Sequence, residues 1–172
     1  MTVEQKKEVW LRGPVDGIIP ALQPVAHALL QAQEEIHELM NEFPDALLWV
    51  RPAQVASAGF HLQHISGVLD RLFTYAAGNL LSNEQLAALK AEGIDDGTGI
   101  TSAQLVLAID KRIYQSIQQL KQLSYEDCLQ PRGVGRAQIP STVLGLLVHS
   151  AEHTMRHLGQ LLVTVKVVNS LH

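Results

Sequence analysis

Residues 140–168 read PSTVLGLLVHSAEHTMRHLGQLLVTVKVV, and the reading of this stretch decides the fold. Pro140 suits a first helical turn, where its missing N–H would have no partner anyway. From there to about Val168 the stretch reads as one long helix, apolar on most sides, and is expected to be the most buried of the chain. Its polar interruptions include His149, His153 and His157, spaced by four. Side chains at i and i+4 stand one above the other on a single helix face.

The preceding segments read as helices too, because Leu, Ala, Gln and Glu dominate the periodic stretches. One long helix is expected from about Pro20 or Pro24 to Glu42, with Val25, Leu29, Ile36, Leu22 and Leu39 on its apolar stripe and Pro44 beyond its end. A second is expected from near Ala53 to about Ala77, closed by Gly78. Ser82 with Gln85, and Thr101 with Gln104, form candidate capping boxes. The first opens a short helix ending near Glu92. The second opens a long one with Leu105, Ile109, Ile113, Ile117 and Leu120 on one stripe. Residues 128–139 read as a loop carrying Arg132 and Arg136, and residues 1–20 as an irregular lead-in. The expected fold is all-α: a four-helix bundle with a short extra helix between helices two and three.

The chain has 172 residues, 47% hydrophobic and 17% charged, which suits one globular domain over 1–172. Its apolar runs fall short of the ~20 residues of a membrane span, and mean hydropathy is +0.08. The first eight residues are polar and lack the apolar core of a secretory signal. A net charge of −4 leaves no electrostatic footprint for nucleic acid or anionic lipid. The single cysteine, Cys128, cannot form an internal disulfide, and a cytoplasmic location follows as the expectation.

Histidine is the residue that asks a chemical question. Five of the eight fall in residues 61–64 and 149–157. A lone helical histidine is ordinarily a surface or satisfied core residue. Several uncoordinated imidazoles among leucines would instead leave polar nitrogens unpaired, at roughly 1–3 kcal/mol each. Two imidazoles from the last helix and one from the second, His61 or His64, would make a three-histidine site with a coordination position left open, the arrangement of catalytic rather than structural zinc centres.

The stretch His153-Thr-Met-Arg-His157-Leu-Gly159-Gln160 resembles the HxxxHxGQ signature of the DinB/YfiT-like superfamily. Gly59-Phe60-His61-Leu62-Gln63-His64-Ile65 is similar to that family's second-helix segment, and Arg136-Ala-Gln-Ile-Pro140-Ser-Thr-Val to one of its branches. The resemblance spans about residues 20–168. It implies a four-helix bundle with one divalent metal ion, zinc or nickel foremost and iron or copper also suited to imidazole. The ligands it implies are His64, His153 and His157, with His64 preferred because it stands immediately before Ile65-Ser66-Gly67. His61 is then a neighbour, His149 a nearby polar residue, Gly159 a site of close helix packing, and Gln160 a hydrogen-bond partner of a ligand ring. Asp70, Arg71 and Tyr75 are expected on a solvated or interface face, and Trp10 and Trp49 in packing or dimer contacts.

Three functions are compatible with that resemblance: a metal-dependent transferase using a low-molecular-weight thiol, a metal-dependent hydrolase, and a non-catalytic, stress-associated metal- or ligand-binding protein. The partners implied are a small-molecule substrate and a second copy of the chain. No acidic residue is assignable as a general base for water.

Overall fold

Capping boxes set the starts of three helices. Ser82 with Gln85 opens α3 and Thr101 with Gln104 opens α4, as expected; Ser124 with Asp127 opens a single turn, α5, that the sequence analysis did not single out. The structure is a computed structural model and describes residues 6–171, so the first five residues of the expected lead-in lie outside it. The helices are α1 (Gln23–Met40), α2 (Ala58–Ala76), α3 (Asn83–Ala91), α4 (Ser102–Leu120), α5 (Tyr125–Cys128) and α6 (Val143–Leu171).

The chain is mostly helical, with one small sheet among the described residues. Residues 131–142 fold into an antiparallel hairpin, β1 (Pro131–Val134) with β2 (Ile139–Thr142), pairing Pro131 with Thr142 and Val134 with Ile139. Pro140 therefore lies in a strand and not in the last helix; an edge position tolerates its missing N–H as well as a helix start does. The last helix begins at Val143, where the Thr142 hydroxyl accepts from Gly145 N–H at 3.0 Å. The second helix also starts later than expected. Ala53 and Gln54 take left-handed φ values of 47° and 65°, and Ser57 then caps the N–H of Phe60. Its end is as expected, with Gly78 at φ 82° just beyond.

The four long helices enclose one core. α1 and α2 each pack against both α4 and α6. Leu22, Leu29 and Ile36, Leu62, Ile65 and Leu69 of α2, Ile109, Ile113 and Leu120 of α4, and Leu147 and Leu161 of α6 all belong to this core and are fully buried. Contrary to expectation, the last helix is not the most buried: Val148, Leu162, Val163, Val167 and Leu171 remain exposed along it. No helix among the described residues is long and apolar enough to cross a membrane.

Close approach fixes two glycines of α2. A Cβ on Gly59 would lie 2.5 Å from the Trp49 ring, which packs there as the sequence suggested. Trp10 instead is exposed, its indole N–H donating to Glu8 at 2.6 Å. A Cβ on Gly67 would overlap the carboxylate of Glu92 and lie 2.6 Å from Arg71 Nη1.

Candidate metal centre

The face of α2 that turns from Leu62, Ile65 and Leu69 toward α6 carries Phe60, His61 and His64. The facing side of α6 carries His153 and His157. Across this interface His64, His153 and His157 each offer a ligand atom, all within 4.8 Å of one another. Nε2 of His64 stands 2.9 Å from Nε2 of His153, and the His157 ring lies 4.4 and 4.6 Å from those of His64 and His153. Phe60 stacks on His64, with ring centroids 5.1 Å apart and planes at 13°.

Two of the three rings have their outer nitrogen engaged. Nδ1 of His64 lies 2.6 Å from Oε2 of Glu92. Burial pushes the Glu92 carboxyl up, but bonds from His64 and Arg71 outweigh it and hold it below the usual carboxylate range. An ionised carboxylate only accepts, so the proton of neutral His64 sits on Nδ1 and a lone pair on Nε2 points into the triad. Nδ1 of His157 lies 3.1 Å from Nδ1 of His61, which leaves Nε2 as its free nitrogen. Nδ1 of His153 is buried with no partner.

The surroundings oppose protonation of His157, His61 and His153. Burial, with the neighbouring His64 next, lowers His157 to about 4 and His61 to about 4. His153 is lowered for the same two reasons. The position between Nε2 of His64 and Nε2 of His153, 2.9 Å apart, suits either the single proton of neutral His153 or a cation, since no partner holds that proton on Nδ1 of His153. The donor set, three imidazoles with two of their outer nitrogens engaged, fits a divalent ion of imidazole preference.

The structure thus brings together the three histidines singled out by motif, and places His61 beside them against His157. His149 is exposed. With Glu152 and His153 it forms a second group within reach of one ion, but Arg156 already holds Glu152 at 2.5–2.9 Å. Gln160 is exposed, and Glu92 and His61 are the hydrogen-bond partners found beside the triad rings instead. Gly159 does not serve close packing: a Cβ there would meet open space. Both residues line a cleft of about 470 Å³ with Val55, Ala56 and Val163, and His61 lies at its wall.

Glu92 and Arg71 are the residues that sequence reasoning missed. Arg71 is buried rather than solvated, and its Nη1 donates to Glu92 Oε1 at 2.5 Å. Asp70 pairs with Arg112 at 2.7 Å, and Arg132 donates to the Ala76 carbonyl at 2.8 Å. Cys128 is buried, and burial pushes its thiol up, away from nucleophilic use.

A family model described as the DinB superfamily matches residues 28–161. No curated protein matches the chain.

Proposed function

The chain belongs to the DinB superfamily, and from that membership we propose that His64, His153 and His157 hold one divalent metal ion within a single four-helix-bundle domain of the DinB type. The observation that carries this reading is the 2.9 Å approach of Nε2 of His64 to Nε2 of His153, with His157 completing the triad. Zinc and nickel suit the donors best; iron and copper are also compatible.

The activity we favour is transfer involving a low-molecular-weight thiol. Held by three imidazoles, a divalent ion would supply positive charge that would lower the pKa of a thiol, ordinarily ~8.5, toward neutral pH. The protein's own groups prepare for this. Glu92 holds His64 with its lone pair inward, His61 engages Nδ1 of His157 and leaves Nε2 facing the triad, and Phe60 covers one face of His64. The cleft beside His61, with apolar walls at Val55, Ala56 and Val163, offers room for the body of a small molecule. Hydrolysis is less well supported: the buried carboxylate beside the triad is Glu92, and both its oxygens are committed to His64 and Arg71.

The test is to load tag-free protein with cobalt and titrate low-molecular-weight thiols. Thiol binding at the metal adds a charge-transfer band, and an electrophile such as monochlorobimane is then consumed faster than without protein. If no thiol perturbs the cobalt spectrum, the transferase reading fails. The lone buried Cys128 suits a reducing, cytoplasmic setting.

A further inference from the structure

Helix α3 is the short insertion between the second and third long helices, and it buries none of its residues. It packs chiefly against α2. A cavity of about 280 Å³, lined by Ala88 and Ala91 from α3 and by Leu105 and Ala108 from α4, separates it from the core below. Hydrophobic burial therefore does little to hold it. Its attachments are polar and lie at its two ends. At the start, Gln85 donates to Thr74 Oγ1 at 2.8 Å. Just past the other end, Gly93 N–H donates to Gln63 Oε1 at 2.7 Å, and Glu92 engages His64 and Arg71 together.

The anchorage of Glu92 is a built feature of α2. Gly67 lies one turn beyond His64 and one turn before Arg71, and the space of its missing side chain is where the Glu92 carboxylate enters. The Glu92 side chain is 8% exposed and that of Arg71 11%. No residue of α2 itself supplies the acceptor for His64 Nδ1; α3 brings it in from 28 positions along the chain.

We propose that Glu92 is a positioning residue for the metal centre and that α3 is the arm that delivers it, so that docking of α3 and metal binding at His64 are one coupled equilibrium. This rests on the reading of His64 as a ligand. A docked α3 fixes the His64 ring and its tautomer, which favours the ion. A bound ion on Nε2 requires the proton on Nδ1, which favours the bond to Glu92. By linkage the two effects are equal in size. Arg71 keeps the carboxylate ionised and aimed, and Gly67 keeps its path open.

The experiment measures zinc affinity by chelator competition, and backbone amide exchange with and without zinc, on the full chain and on Glu92→Gln. Wild-type protein is expected to bind one zinc and to show exchange in α3 and at Gly93 slowed at least about fivefold on binding. Glu92→Gln is expected to weaken zinc by about 10- to 100-fold and to lose the zinc-dependent slowing in α3. A role for Glu92 in merely holding the fold would change exchange equally with and without zinc. Wild-type protein that binds zinc with no change in α3 exchange overturns this proposal alone, and that measurement decides even if Glu92→Gln does not fold. Zinc affinity retained within about twofold in a folded Glu92→Gln overturns it as well, since outer partners ordinarily contribute at least tenfold. A wild-type protein with no zinc affinity overturns both this proposal and the three-histidine reading beneath it.

Discussion

His64 Nε2 and His153 Nε2 face each other at 2.9 Å while His64 Nδ1 is held by Glu92 at 2.6 Å. With its own proton on Nδ1, His64 offers only a lone pair at Nε2, so the position between the two nitrogens takes either the His153 proton or a cation. The bond from Glu92 is what aims that lone pair inward.

The first consequence concerns composition. Tag-free protein should carry about one equivalent of divalent metal, and His64→Ala, His153→Ala or His157→Ala should each cut that content sharply. Elemental analysis after gel filtration measures it. Full occupancy in His153→Ala would remove the triad from consideration.

Acid should destabilise the metal-free protein over a defined window. His157 and His61 titrate at about 4 in the fold, held down first by burial and then by His64; unfolded, each takes up a proton near ~6.5. Between those values the unfolded chain binds more protons, so stability rises with pH there and is lost as pH falls through it. Melting temperature should be near level from pH 8 to 6.5, then decline toward pH 4. The slope should lessen in His61→Leu/His157→Leu. Metal adds an increment at neutral pH that shrinks in acid, because protons compete for the same nitrogens.

Gly59→Ala tests the packing behind the site. The added methyl meets Trp49 at 2.5 Å, and overpacking of this kind costs ~1–3 kcal/mol, offset in part by the better helix propensity of alanine. A net loss of about 1 kcal/mol is expected in urea unfolding, together with a shift in tryptophan fluorescence. Unchanged stability would mean that Trp49 moves aside freely.

Assembly is the fourth expectation. Val148, Leu162, Val163, Val167 and Leu171 leave an apolar stripe on α6 open to solvent, and a second copy of the chain is the proposed cover. Light scattering should give twice the 18.9 kDa of one chain. A mass near 18.9 kDa at high concentration would refute the dimer.

Local rules carried the sequence reading a long way. The boxes at Ser82 and Thr101 and the cap at Gly78 stand where composition placed them, because a cap is satisfied within four residues. The i, i+4 spacing of His153 and His157 fixed a shared face, and the motif around His64 singled out the ring that joins them. What escaped was tertiary. Glu92 reaches His64 only because Gly67 leaves space for it, and no pattern along the chain announces that vacancy. Arg71 looked solvated because its partner lies 21 positions away. The 131–142 hairpin was missed because its Pro-Arg-Gly and Ile-Pro-Ser runs are too short to show alternation. The open stripe on α6 was hidden by the expectation that an apolar helix is wholly interior.

The span between His64 and His153, 89 positions, also says when the centre can come into being. Synthesis proceeds at about 5–20 residues per second, so seconds separate the emergence of the first ligand from that of the last two. During that interval α1 and α2 can each pack against α4, but α6, which carries two of the three triad rings, does not yet exist. The nascent chain therefore presents only one of the three triad imidazoles, and on the proposed reading metal capture belongs to the closing step of folding, after α6 has docked.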